Sequence, residues 1–276
     1  MTKQVILALL LAMASLAGGG ARGADFYSVD NVTDYLVQVS SETGVVTPLG
    51  YLGRDVADVD LACSGEYLYA LNAGVGFPVE LLEIDLITFQ VMSVVPVTLD
   101  GQPIPSAEGL ASFDGRLLAA FVYNGPTYWS NAIGEIAQSG EMTLLFDYVV
   151  FDAGADADGL TALPSGHLLA VDDRPPGADD YRFIELALPP NAAYTVLGTH
   201  HPYTNINDLE MLGSGDIWGT DNTIHSLKRF GADGTTLETR PYDPSFELFG
   251  LVDEGCGVPP TPTETTTWGH IKSVFR

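Results

Sequence analysis

The chain has 276 residues, 46% of them apolar, with 36 acidic against 11 basic side chains and a formal net charge of −25. That apolar content excludes a disordered acidic polymer, and so negative a surface repels phosphate backbones, which excludes nucleic acid as a partner. Acidic excess with only Lys3, Lys228 and Lys272 as ammonium groups fits solubility in a salty medium or binding of divalent cations.

In chain order, Lys3, the apolar run Val5 to Ala17 and the small residues Gly18 to Ala24 have the layout of a secretory signal peptide, expected to span 1–23. The run is too short for a bilayer, which needs roughly 20 apolar residues. No later segment is long and apolar enough to span, so a secreted, cell-surface or periplasmic protein without a transmembrane segment is expected.

From residue 24 to 256 one phrase recurs. A small apolar step and a Gly turn lead into a short apolar strand that ends near an acid or amide. It reads Asp60-Leu61-Ala62 to Gly65 and Leu68 to Asn72, then Gly109-Leu110-Ala111 to Gly115 and Leu117 to Ala119. It returns as Gly159-Leu160-Thr161 to Gly166 and Leu168 to Asp172, and as Asp208-Leu209-Glu210 to Gly215 and Ile217 to Asp221. Each copy is followed by a third strand (Leu81–Ile84, Ala132–Ile136, Phe183–Leu186, Ser226–Phe230) and a fourth, such as Val91 to Val97 or Met142 to Phe146. Short β-branched and aromatic runs punctuated by Gly, Asp, Asn and Pro predict antiparallel hairpins, and no helical periodicity is sustained.

Four strands per unit at a period of about 50 residues predict a five-bladed β-propeller, an all-β ring of four-stranded antiparallel blades. Seven blades would leave too few residues for each. The fifth blade is split: Phe249-Gly250-Leu251-Val252 supplies its inner strand and Phe26 to Asp30 the next, so the N- and C-terminal strands close the ring and hide two sheet edges. In that arrangement Cys63 and Cys256 come near each other. A Cys63–Cys256 disulfide is expected in an oxidising compartment, with two buried thiols as the alternative.

Glu108-Gly109-Leu110 and Asp158-Gly159-Leu160, each followed by a Gly-x-Leu step, carry a family resemblance. Over residues 25 to 255 the chain resembles secreted bacterial β-propeller repeat proteins. The resemblance implies the fold and carries no catalytic residue across. Beyond Cys256, residues 257–267 read as a stiff Pro/Thr linker. Residues 268–276, with Trp268, Ile271 and Phe275 spaced for one helical face, look like the short tails that end some exported bacterial proteins. A sorting or docking tag is expected there, with a frayed terminus as the alternative.

The loops entering the inner strands converge on one face of the ring. They bring Asp58, Glu108, Asp158 and Glu247 toward the axis, and the fourth brings Asn207 followed by Asp208. Converging acids need a cation or shared protons. Asp58, Glu108, Asp158, Asp208 and Glu247 are therefore candidate ligands for Ca²⁺ or a similar hard cation, and Asx-type turn capping is the alternative. Asp152 to Asp158 lacks the spacing of a calcium loop. Glu108, Asp158, Asn207, Tyr128 and Trp129 are candidate ligand-binding residues, because sugars stack on such rings, which Tyr123 would join unless it belongs to the core. His200-His201 is weak evidence for zinc, since neighbours on an extended segment point apart. A Gly-x-Ser-x-Gly elbow and a phosphate-binding Gly loop before a helix are both missing from the sequence.

The expected function is a secreted, monomeric binding or interaction module with an acidic ligand site on the top face, taking a cation, a glycan or an extracellular protein. One alternative is a carbohydrate-active enzyme that uses Glu108 and Asp158 with Asp58, because glycosidases need two carboxylates about 5–9 Å apart. Another is a structural envelope component. The sequence leans away from an enzyme.

Overall fold

A computed structural model describes residues 24–74, 78–124, 129–149, 157–172, 181–199 and 206–256. Among them are strands and turns only. The ring contains five sheets, here blades I to V. Blade I holds β1 (Asp25–Asp30), β2 (Tyr35–Ser40) and β3 (Val46–Tyr51); blade II holds β4 (Val59–Ser64), β5 (Tyr67–Asn72), β6 (Glu80–Asp85) and β7 (Gln90–Pro96). After the short strands β8 (Thr98–Leu99) and β9 (Gln102–Pro103), blade III holds β10 (Ser106–Phe113), β11 (Arg116–Asn124), β12 (Trp129–Ile136) and β13 (Glu141–Asp147). Blade IV holds β14 (Ala157–Ala162), β15 (Leu168–Asp172), β16 (Arg182–Ala187) and β17 (Ala193–Thr199). Blade V holds β18 (Ile206–Met211), β19 (Ile217–Asp221), β20 (Ser226–Phe230) and β21 (Thr236–Pro241), and β22 (Leu248–Asp253) returns to blade I as its inner strand.

The split blade has the expected strand pairing. β22 pairs antiparallel with β1, placing Phe26 opposite Asp253 and Asp30 opposite Leu248. The inner strands touch in the order β22, β4, β10, β14, β18 and back to β22, which closes the ring. Cys63 and Cys256 form the expected disulfide, with Cα atoms 5.6 Å apart. Blade III departs from the four-stranded plan, because β8 lies parallel to β13 and extends that sheet to six strands. The addition covers an edge that is open in the other blades.

Each blade packs against two others, and this dictates the patterning. The second strands β15 and β19 are buried along their whole length; β15 reads as an unbroken apolar run and β19 as Ile217-Trp218-Gly219-Thr220, each ending in a buried acid. The outermost strands β3, β7 and β21 face water and are mixed or mostly polar. The core is therefore a set of wedges between blades. Tyr69, Leu71 and Leu81 of blade II meet Leu110, Leu117 and Phe121 of blade III in one of them. Phe183 of blade IV and Phe230 of blade V meet at 5.1 Å in another.

Candidate functional site

Placed in register, the five inner strands share one pattern. Leu61, Leu110, Leu160, Leu209 and Leu251 occupy equivalent positions, and all five are buried in the wedges. The residue before each leucine faces the next blade. In three blades it is glycine, and the space explains why. A Cβ on Gly109 would stand 2.9 Å from Cβ of Leu160, on Gly159 2.5 Å from Cα of Asp208, and on Gly250 2.6 Å from Cγ of Leu61. In the other two blades the position holds Asp60 and Asp208, and their carboxylates reach the backbone of the neighbouring strand. The Leu110 N–H donates to Oδ2 of Asp60, and the Leu251 N–H donates to Oδ2 of Asp208. The Oδ1 atoms accept the N–H groups of Leu61 at 2.8 Å and Leu209 at 2.6 Å.

These aspartates meet across the axis. The Asp60 and Asp208 carboxyls stand within hydrogen-bonding reach of each other, a contact that two charged carboxylates cannot make without a shared proton. Burial pushes the Asp60 carboxyl up to about 7. Asp208 is raised well above the ordinary carboxylate range, by burial first and then by the charge of Asp60. Two residues along β18, Glu210 accepts from the Asp253 N–H at 3.3 Å and from the Thr161 hydroxyl at 3.4 Å. Burial, with the nearby charges of Asp253 and Asp60, pushes Glu210 up to about 8.

Asp60 forms part of the wall of the upper cavity, about 490 Å³, at the end of the channel where the inner strands begin. Asp58, Glu108, Asp158 and Asn207 line the same space, with Phe249 supplying an apolar wall. β-Bulges in β10, β14 and β18 fall at Glu108, beside Asp158 at Gly159, and at Asn207, where they re-aim the chain toward the axis. Asp58 reaches the cavity from a left-handed backbone conformation (φ 48°), and burial raises its carboxyl. A second cavity of about 210 Å³ opens toward the other end, lined by Glu210, Thr161, Met211 and Cys63 among apolar neighbours.

Four of the expected residues, Asp58, Glu108, Asp158 and Asn207, thus share one space. Two do not stand with them. Asp208 is 1% exposed and engaged in the axial pair, and it is not part of the upper cavity's lining. Glu247 is exposed on the loop before β22, where its backbone N–H donates to Asp30, and Phe249 takes the cavity position in that blade. Among the described residues no three acidic, histidine or cysteine side chains are grouped to hold a metal ion. Tyr128 and the His200-His201 pair lie outside the described residues, as do 1–23 and 257–276; Trp129 begins β12. Tyr123 packs on Phe121 with ring centres 5.7 Å apart and donates to Asp147, which makes it a member of the blade III wedge.

The acids that end the second strands have a structural task. Asp30 accepts from the Val32 and Glu247 N–H groups and from the Thr33 hydroxyl, and Asn72 accepts from the Ala57 N–H. Each ties the loop entering its own inner strand to the blade. Asp172 is fully buried and pairs with Arg182, while Tyr194 donates to it at 2.8 Å. Asp221 is buried against Lys228 at 2.6 Å. Sequence reasoning quoted Asp60 and Glu210 as part of the phrase but passed over them as site residues. The available signal was the replacement of Gly by Asp at two of five equivalent positions.

No protein-family model matches the chain, and no curated protein does. Solved propeller structures do. One, provisionally assigned as a gluconolactonase, is 17% identical over 81% of this chain and 79% of its own, with a TM-score of 0.50. A virginiamycin B lyase from Staphylococcus aureus is 13% identical over 79% of this chain and 69% of its own, at a TM-score of 0.44. A provisional 6-phosphogluconolactonase from Bacteroides uniformis is 16% identical over 82% of this chain and 70% of its own, at 0.41. At such identities the likeness is one of fold: the chain is a five-bladed β-propeller whose channel is walled by acids, with the buried carboxyls of Asp60 and Asp208 facing each other at the axis.

Proposed function

We propose that the protein is an exported binding module that takes a small polyhydroxylated ligand, such as one sugar ring of a glycan, in the upper cavity. The observation that carries this reading is the cavity itself. Its volume of about 490 Å³ falls within the 300–1,000 Å³ typical of ligand sites. Carboxylates and an amide from four inner strands can exchange hydrogen bonds with hydroxyl groups, while Phe249 offers apolar surface to a ring face. The disulfide supports an oxidising location, and among the described residues no helix is long and apolar enough to cross a membrane.

The test is a thermal-shift screen against a glycan panel, with Ca²⁺ and EDTA as separate arms. A ligand at a hundred times its Kd stabilises by about 2.7 kcal/mol, which for a domain of this size is roughly 5 °C. The shift should vanish in Glu108→Gln/Asp158→Asn. A shift with Ca²⁺ alone would replace the sugar by a hard cation. No shift in any arm would refute the site.

A second reading, carbohydrate cleavage, is favoured by the proton near the cavity wall at Asp60. Glycoside hydrolysis needs one protonated carboxyl and one carboxylate across a bond. Release of reducing ends from the panel, abolished in Asp60→Asn, would establish cleavage over binding.

A further inference from the structure

The axial pair does something for the ring that neither reading of the upper cavity requires. Asp60 belongs to blade II and accepts the backbone of blade III through the Leu110 N–H. Asp208 belongs to blade V and accepts the backbone of blade I through the Leu251 N–H. Their carboxyls come within hydrogen-bonding reach of each other and so bring the two junctions together across the channel. Glu210 adds blade IV through Thr161 and blade I again through the Asp253 N–H. Every inner strand is thereby tied to a carboxyl at the axis. At the three junctions where glycine replaces the aspartate, the backbones pack directly and no carboxylate could fit.

We infer that Asp60 and Asp208 form a proton-held clasp that fastens the inner strands across the channel between the two cavities, and that alkaline pH releases it. The chemistry follows from the hydrogen bond. Two carboxylates cannot donate to each other, so the bond exists only while a proton is present. The charged surroundings all favour keeping it. Asp58 on the loop before β4, Glu108 on β10 and Asp158 on β14 line the upper cavity with Asp60; Glu210 on β18 adds its charge to Asp208, and Asp253 on β22 adds its own to Glu210. No lysine, arginine or histidine is among the described residues lining either cavity.

The direction of the pH effect is fixed by the raised folded-state values. Between the ordinary carboxylate range and about 7 the unfolded chain has released protons that the folded ring still holds at Asp60. For Glu210 the upper end of that window is about 8, and for Asp208 it lies well above the ordinary range. Stability from this source is thus complete in mild acid and declines as pH rises through the window. The equilibrium constant for unfolding should grow up to tenfold per pH unit for each proton retained.

The test uses the full chain with Asp 13Cγ labels, read by NMR from pH 5 to 9, together with hydrogen exchange. Glu is unlabelled, so Glu210 does not interfere. One aspartate carboxyl should titrate near about 7 and a second well above the ordinary carboxylate range, and Asp208→Asn should remove the second while the first stays raised, because burial holds it up. The Leu110 and Leu251 amides should be protected together at pH 6, and should lose at least tenfold in protection by pH 9 after correction for base-catalysed exchange. Aspartates that all titrate below pH 5, or amide protection independent of pH, would overturn the clasp. The wild-type measurements decide even if Asp208→Asn fails to fold. Because no ligand is present in either, they are independent of the upper cavity's occupant.

Discussion

Removing the disulfide should lower stability by an amount set by how much chain it encloses. Cys63 and Cys256 are 193 residues apart in sequence. On the chain-entropy model, closing so long a loop in the unfolded state is worth about 5 kcal/mol. Unfolding entropy near the midpoint, scaled to a propeller of roughly 230 residues, is about 0.5 kcal/mol per kelvin. The double variant Cys63→Ser/Cys256→Ser should therefore melt roughly 10 °C below the oxidised protein. The native ring should survive, because β22 still pairs with β1 and the Leu251 N–H still donates to Asp208. Thermal melts of the oxidised protein, the reduced protein and the variant would measure this, with urea titrations alongside. A larger m-value in the variant would locate the effect in a less compact unfolded state. A variant within 2 °C of the oxidised protein would refute the reasoning and leave strand pairing as the closure that matters.

Two further outcomes follow from packing and charge. Gly159→Ala should destabilise by about 3 kcal/mol, since it combines a left-handed backbone (φ 54°) with a Cβ 2.5 Å from Cα of Asp208; Gly213→Ala, where the space is open, is the matched control in chemical denaturation. Arg182→Leu should cost about 3–5 kcal/mol at pH 7, because it removes the guanidinium paired with the fully buried Asp172 carboxylate. Asp172→Asn added to it should restore part of the loss in the same titration.

The architecture was legible because a propeller repeats. Laying Leu61, Leu110, Leu160, Leu209 and Leu251 in register gives the blade count, the split blade and the position of the disulfide from spacing alone. What the register obscured was the chemistry. Acids that recur, such as Glu108 and Asp158, drew attention as a converging set, and the structure does gather them with Asp58 and Asn207 around one cavity. Glu247 was misplaced because Phe249, two residues later, takes the equivalent position in β22. Asp60 and Asp208 were the more telling pair. Their meeting is a contact between blades II and V, which are not neighbours in the ring, and no local pattern encodes a distance across the axis. Blade III's extra strands were hidden for another reason: two residues each in β8 and β9 are too few to show a period.

The split blade also sets a clock on synthesis. β1 is among the first described segments made, yet one of its edges has no partner until β22 exists, and Asp30 waits for Leu248. At 5–20 residues per second that interval lasts on the order of 10–45 s. Throughout it, a strand holding the buried Phe26 and Val29 presents unpaired amides to whatever surrounds the nascent chain. The four continuous blades can form as they are made, whereas the blade containing the first strand is completed last. A chain stopped short of residue 248 would leave β1 as an open edge, a row of unpaired backbone groups able to take a strand from a second copy.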